Sequence, residues 1–331
     1  MRTALTLTLS RREKVSVLAL ALLVALLAPA CTLLRPQTSA ATPPPAVPAT
    51  RAPAAIPNFG HVFIIVMENK EYGEIIGSDD APYINNLART YALATRYYAI
   101  RHPSLPNYLA LVSGSTQGMT SDCSDCSFKA PNLADQLEAH QRSWGADMED
   151  MPEPCYNGAY AGGPLAFLGV ASYARKHNPW MYFEDITSDP ARCGRVVPFT
   201  QLATDLAAGK LPDFVWITPN LKHDMHNGTV ADGDGWLATT VPPLLASPAW
   251  RDNGVLFIVW DEGTSDAGCC GNAAGGHTPA IVVAADGKRG YQSPFPYSHY
   301  SLLRTIEDAW QLGYLDHAAD PGTQAMSDFF K

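Results

Sequence analysis

Four short runs of the chain are apolar almost without interruption: "HVFIIVMEN" (61–69), "DFVWITPN" (213–220), "VLFIVWDEG" (255–263) and "PAIVVAADG" (279–287). None alternates between apolar and polar positions. Their length, their β-branched residues and the Gly or Pro at their borders predict strands buried on both faces of a parallel sheet. Elsewhere the period changes. "YINNLARTYA" (83–92), "NLADQLEAH" (132–140) and "SHYSLLRTIEDAWQLG" (298–313) carry apolar residues at helical spacing, the last with Ser298 as a cap and Gly313 as a stop. "NYLALVSG" (107–114) reads as another helix that ends near Gly114. Strands alternating with helices predict an α/β fold, a mostly parallel central sheet sandwiched by helices.

Three of the four strands end in groups that carry chemistry. The first ends in Glu68-Asn69, the second in Asn220 followed by His223, Asp224 and His226, and the third in Asp261-Glu262. In open α/β sheets the ligand crevice lies outside the carboxyl ends of the strands, so groups distant in sequence converge there. One polar strand end usually means solubility alone; three, each with a carboxylate or a histidine, predict a site. Oxygen donors from Glu68, Asn69, Asp261 and Glu262 suit a divalent cation, Mg, Ca, Mn or Zn alike. Asn220, His223 and Asp224 are additional candidates.

The nine histidines divide by context. His61 starts a strand and reads as structural, whereas His140, His177 and His317 read as surface residues. His299 at a helix start stays open. His102, His223, His226 and His277 adjoin strand ends or Gly-rich segments, where a site would be built, and His226 and His277 are the strongest candidates.

The first thirty residues stand apart from this pattern. Arg11, Arg12 and Lys14 precede an apolar run from Val15 to Leu27, followed by Ala28-Pro29-Ala30-Cys31. A charged region, an apolar region and small residues in that order read as an export signal over residues 1–31. A membrane-spanning helix would need roughly 20 apolar residues. Cys31 could carry a lipid as in bacterial lipoproteins, although Ala28 stands where such motifs usually have Leu; cleavage without lipidation is the other reading. Residues 32–57, with "TPPPAVPATRAPAAIP" at their centre, form a Pro/Ala/Thr-rich tether. One catalytic or binding domain then runs from Asn58 to Lys331.

Charge narrows the partners. The whole chain has a formal charge of −9. Setting aside the six basic groups and Glu13 of the first 57 residues leaves 17 basic and 31 acidic side chains on the body, a formal −14. Such a body is not built to clamp a nucleic-acid backbone, but it suits a protein that holds a cation. Six cysteines follow Cys31, an even number that suggests disulfides in an exported chain. Cys155 with Cys193 is the favoured long-range bridge. Cys269 and Cys270 read as a vicinal pair, and Cys123 and Cys126 as local disulfide partners.

"RHPSLPN" (101–107) holds Ser104 between two prolines at the start of a helix. Ser104 reads as a helix cap, a turn residue or a nucleophile. A helix start also presents free N–H groups and a positive dipole end to an anion.

Together, "MENKEYGEIIG", "HPSLPNYLALVSG", "TPNLKHDMHNG", "WDEG" and "GGHTPAIVV" resemble the motif set of the bacterial phosphoesterase family that contains acid phosphatases and phospholipases C. That family belongs to the alkaline-phosphatase superfamily, and the resemblance spans residues 61 to about 312 in consecutive order. It implies an alkaline-phosphatase-like fold. "SLPN" is also similar to the "TFPN" segment of nucleotide pyrophosphatase/phosphodiesterases, which implies Ser104 as nucleophile and Asn107 as the amide that contacts phosphate. The resemblance further implies that Glu68, Asn69, Ser104, Asp261 and Glu262 surround one metal ion. The chain departs from two-zinc relatives, because Asn220 stands near an expected aspartate and Glu262 replaces a histidine. His226, His277 and His223 then supply charge or protons where a second ion would sit.

The expected activity is a metal-dependent hydrolysis of a small phosphate ester through a phosphoserine. Asn107, His102 and the helix start stabilise charge, and His226 or His277 serves as the proton donor. A phosphomonoesterase is the first reading, and a phosphodiesterase or phospholipase C the second. Trp180, Tyr182 and Phe183 would line an apolar approach in the second reading and be core residues in the first. An inactive, surface-tethered binding protein is the alternative outside enzymes. Contact with a membrane is expected only through a lipid on Cys31. Nothing in the pattern specifies the ion, the physiological substrate or an oligomeric state.

Overall fold

Every residue of Val62–Met67 is buried because both faces of that strand are covered. Val62, Ile64 and Val66 share a core with helices Ser104–Ser113 and His299–Trp310. Phe63, Ile65 and Met67 face the opposite core, built on helices Pro82–Thr90 and Val230–Ala246. Residues 255–260 divide in the same way, with Val255, Phe257 and Val259 on one side and Leu256, Ile258 and Trp260 on the other. This double burial is what the unbroken apolar runs encode.

The computed structural model describes residues 55–163 and 170–331. The segments read as an export signal and as a tether, including Cys31 and as far as residue 54, lie outside the described residues. The strands in chain order are β1 (Val62–Met67), β2 (Ala92–Tyr98), β3 (Trp144–Met148), β4 (Tyr160–Ala161), β5 (Tyr173–Ala174) and β6 (Val196–Pro198). They continue with β7 (Phe214–Thr218), β8 (Val255–Trp260), β9 (His277–Ala284), β10 (Tyr291–Ser293) and β11 (Tyr297–Ser298). The main sheet has the order β10-β2-β9-β8-β1-β7-β3-β6, with β11 also beside β2, while β4 and β5 make a separate ribbon. Among the described residues no helix is long and apolar enough to cross a membrane.

The sheet is mostly parallel, as expected, but β9 runs against both neighbours, β8 and β2. Residues 261–276, which join β8 to β9, contain no helix. A strand that returns without a crossover has to pair antiparallel. β9 therefore begins at the edge where β1, β7 and β8 end. The final long helix ends at Trp310, with Gln311 in the left-handed conformation (φ 55°), so the stop comes before Gly313.

Cys155–Cys193 and Cys269–Cys270 are disulfides. The expected Cys123–Cys126 bridge is absent, and both are free thiols. Their loop is held instead by Arg175, which donates to Ser124 O at 2.6 Å, and by Tyr182, whose hydroxyl donates to Cys123 O at 2.7 Å. Trp180, Tyr182 and Phe183 are fully buried core residues and line no apolar approach.

Asp147 on β3 is 5% exposed, its Oδ1 has no hydrogen-bond partner, and burial with nearby Asp205 pushes its pKa up to about 8. The native state thus keeps a proton that the unfolded chain releases near 3.8. Stability from this group is complete below that pH, falls as pH rises toward about 8, and then levels off. Asp147→Asn should flatten that slope, read as denaturant midpoints at pH 5 and pH 8. Equal slopes for the two proteins would refute the assignment.

Candidate active site

β8, β1 and β7 are adjacent and parallel, so their carboxyl ends deliver side chains to one place. Glu68 follows β1 and is fully buried. Its backbone N–H donates to Asp224 O at 2.8 Å, tying the end of β1 to the loop after β7. Asn69 takes a left-handed turn (φ 52°), which asparagine tolerates. Its N–H donates to Asp261 Oδ1 at 3.1 Å, and its side-chain amide donates to Glu68 Oε2 at 3.3 Å. Asp261 Oδ1 also accepts from the Glu262 N–H at 2.6 Å. The loop beyond is held by Glu71, whose Oε1 accepts from Thr264 N, Ser265 N and Ser265 Oγ at 3.0, 2.9 and 2.8 Å. A Cβ at Gly263 would lie 2.4 Å from Glu71 Oε1, so a larger residue there would displace the carboxylate that holds this loop.

Ser104 opens a ten-residue helix that is buried throughout, but it is not the cap. Pro103 holds the N-cap position, and the Leu105 N–H donates to Asp122 Oδ1 at 3.0 Å. The Ser104 hydroxyl instead faces two carboxylates, Glu68 Oε2 at 3.2 Å and Glu262 Oε1 at 3.4 Å. His102 pairs through Nδ1 with Glu262 Oε2, and its Nε2 lies 3.0 Å from Ser265 O. Both ring nitrogens face acceptors, an arrangement satisfied by the doubly protonated ring. Burial opposes that charge, but Ser265 O and Glu262 outweigh it and raise the pKa.

A second group closes the other side of Glu68. Tyr108, one helical turn after Ser104, donates to Glu68 Oε1 at 2.7 Å, and its ring stacks on His177 with centroids 5.3 Å apart. His177 Nδ1 lies 3.1 Å from Asp224 Oδ2, and Nε2 is 3.1 Å from Glu68 Oε1 but out of hydrogen-bond alignment. Met225 adopts a left-handed backbone (φ 81°), a strained state for its side chain, and so turns Asp224 and His226 toward the same cluster. The His226 N–H donates to Asp224 Oδ1 at 2.7 Å. Lys176 Nζ lies 2.8 Å from Asp122 Oδ2 and 3.2 Å from His226 Nε2.

The electrostatics describe a buried surplus of negative charge. Desolvation first, then repulsion from Asp261 and Asp224, raises the pKa of Glu68 well above its ordinary value. Burial likewise raises Asp224 and Glu262, and with Glu262 it pushes Asp261 up to about 8. Burial opposes the charge on Lys176, but Asp122, Glu68 and Asp261 hold its pKa above the usual value. His177 and His226 are lowered, in both cases first by burial. Two buried polar atoms of the cluster, Asp261 Oδ2 and His177 Nε2, have no hydrogen-bond partner. Ligand atoms of Glu68, His177 and His226 lie within 4.8 Å of one another, a set that could hold a metal ion. Clustered carboxylates, orphaned ligand atoms and mixed O/N donors all fit a bound cation.

Of the residues singled out in the sequence, Glu68, Asn69, His102, Ser104, Asp224, His226, Asp261 and Glu262 come together. Four others are engaged differently. Asn107 spends both ends of its amide on the preceding loop: Oδ1 accepts from Ile100 N and Arg101 N, and Nδ2 donates to Arg101 O and Pro103 O. It holds the loop before Ser104, with no free group for phosphate. Asn220 is a turn residue whose Oδ1 accepts from the N–H groups of Lys222 and His223. His223 pairs with Glu149 at 2.9 Å. His277 starts β9 at the correct edge, but its ring stacks on Tyr72 and Tyr98, and its Nε2 lies 2.9 Å from Thr95 O.

His177 overturns its surface reading, being 2% exposed. His299 is resolved as a positioning residue, with Nε2 2.6 Å from Asp261 O and Nδ1 2.9 Å from Tyr97 OH. Sequence reasoning also missed Tyr108, Lys176, Asp122 and Glu71. Tyr108 and Glu71 lie inside the motifs that carry the resemblance, which is the signal that could have found them.

A profile described as Phosphoesterase family matches residues 78–313. The chain is 34% identical over 280 residues to a phosphatidylinositol-3-phosphatase of Mycobacterium tuberculosis, covering 84% of this chain and 86% of the relative. It is 30% identical over 258 residues to an acid phosphatase of Aspergillus fumigatus, with 77% and 55% covered, so it spans about half of that fungal relative. Among solved structures it is similar to a protein in the alkaline phosphatase superfamily from Vibrio parahaemolyticus. The TM-score is 0.52 at 14% identity over 81% of this chain and 72% of that one, a likeness of fold.

Proposed function

The chain belongs to the Phosphoesterase family and is a phosphoric-ester hydrolase, and from that premise we propose an exported, metal-dependent phosphomonoesterase that works through a phosphoserine at Ser104. The position of the Ser104 hydroxyl carries the reading. It stands at the first turn of a buried helix, caps nothing, and lies between Glu68 and Glu262. The names of the two relatives above, both phosphatases, support a monoester substrate.

A bound cation would be held by Glu68, Asn69, Ser104, Asp261 and Glu262, and would lower the serine pKa and draw charge from a phosphate oxygen. Glu68 Oε2, 3.2 Å from the Ser104 hydroxyl, accepts its proton while Glu262 orients the oxygen for in-line attack, in which the Oγ–P bond forms as the bond to the leaving oxygen breaks. Lys176 offers positive charge to the phosphate oxygens, the main contribution a protein makes to this chemistry. His102, held between Glu262 and Ser265 O, keeps Glu262 in place, and the proton taken from Ser104 passes to the leaving oxygen. His226, kept neutral first by burial and then by Lys176, accepts one from the water that hydrolyses the phosphoserine.

Initial rates on p-nitrophenyl phosphate, bis(p-nitrophenyl) phosphate and phosphatidylcholine separate monoesterase from diesterase. The monoester should turn over fastest. A preference for either diester would replace this reading with a phosphodiesterase or phospholipase C. Export is checked by the N-terminal sequence of the mature protein outside the cytoplasm.

A further inference from the structure

The two segments that deliver the reacting groups also line a cleft beside them, with a volume of 960 Å³. One wall is Ile100–His102, which leads directly into Ser104. The other is Gly268–Ala274, on the loop that begins with Asp261 and Glu262. His102 belongs to both places: Nδ1 pairs with Glu262, while Nε2 faces Ser265 O and lies 4.0 Å from Asp266.

The walls are fastened to each other at their base. Ala274 N donates to Ile100 O at 2.8 Å and Gly275 N to Ala99 O at 2.9 Å. The approach at Gly275 is close enough that a Cβ there would lie 2.5 Å from Arg101 N. The Cys269–Cys270 disulfide forms the turn of the second wall, and Cys269 and Ala273 exchange backbone hydrogen bonds across it. The cleft is therefore tied to the same backbone that sets the distance between Ser104 and Glu262.

Its lining is mixed: Ile100, Tyr300 and the disulfide supply apolar surface, and Arg101, His102 and Thr116 supply polar groups. Asn272 and His317 also line it, but both are bonded to Asp320. Such a surface suits a ring that offers C–H faces and hydroxyl edges together. Arg101 is exposed, and among the described residues its guanidinium makes no hydrogen bond or ion pair. The carboxylate on the lining, Asp266, is 96% exposed and so remains hydrated. An unpaired guanidinium beside a phosphate-cleaving centre is equipped to grip a second phosphate bidentately.

We propose that this cleft is the leaving-group subsite, and that Arg101 selects small polyhydroxylated phosphomonoesters whose leaving group bears a second phosphate. The inference rests on the phosphomonoesterase reading. It is tested with myo-inositol 1,3-bisphosphate and myo-inositol 3-phosphate, with p-nitrophenyl phosphate as the reference ester. The wild-type kcat/KM should favour the bisphosphate over the monophosphate by about tenfold or more, the scale of one charge-assisted contact. Arg101→Gln should bring that ratio close to one, and Arg101→Lys should restore part of it. A wild-type ratio near one, or a ratio unchanged by Arg101→Gln, overturns the subsite while leaving the phosphatase reading intact. No hydrolysis of any of the three esters by the wild-type protein overturns both.

Discussion

Ser104→Ala should lower the turnover of p-nitrophenyl phosphate by roughly 10³-fold or more, the scale seen when a nucleophile that acts with its partners is removed. The change deletes the atom that attacks phosphorus and leaves in place the carboxylates, Lys176 and His102 around it. A hydroxyl hydrogen bond contributes about 1 kcal/mol to stability, and Ser104 sits in a helix that keeps its other contacts. The variant should thus fold with nearly the wild-type thermal midpoint and still bind the ion. Acid-quenched wild-type enzyme should carry phosphate on Ser104, and the variant none. Near wild-type turnover by the folded variant would remove Ser104 from the mechanism.

Chelation should have the other large effect. Glu68, Asp224, Asp261 and Glu262 are buried in one cluster; Lys176 is the cation that acts on Glu68 and Asp224, and Glu262 is offset first by His102 and then by Lys176. A divalent ion there would satisfy the orphaned Asp261 Oδ2 and offset much of the negative charge. Treatment with EDTA should abolish activity, and one type of divalent ion should restore it at about one ion per chain. An ion that binds only the folded state at a hundred times its dissociation constant adds about 2.7 kcal/mol, so the thermal midpoint should fall by roughly 5 °C or more on its removal. Full turnover by protein that elemental analysis finds free of metal would reject this reading.

How much of this could be read in the sequence depended on the kind of signal. β1, β7, β8 and β9 announced themselves because burial on two faces leaves no polar position inside the strand. Val230–Ala246 did not, because Gly233, Gly235, Pro242 and Pro243 argue against a helix. Its Asp234 nonetheless accepts from the N–H groups of Tyr83 and Ile84 and caps the next helix in space. β3 and β6 are short, and β3 carries the buried Asp147, so neither shows a strand pattern. His177 gave no signal at all. Its burial comes from Tyr108, Asp224 and Glu68, each on a different segment.

By itself the sequence determined the α/β class and the strand ends where polar groups gather, because hydrophobic period and residue type are local properties. The grouping of Ser104 with Glu68, Asn69, Asp261 and Glu262 came from the family resemblance, since the local residues left Ser104 open as cap, turn residue or nucleophile. Tertiary structure alone decided which amides and imidazoles are free to act. Asn107 and His277 have suitable chemistry in the right neighbourhood, but backbone engages both ends of the Asn107 amide, and His277 is stacked between tyrosines with Nε2 on Thr95 O, whereas His177 meets the site with Nε2 unbonded. An Asn or His has the same donors and acceptors wherever it stands. Its role is settled by the partners that folding brings to it.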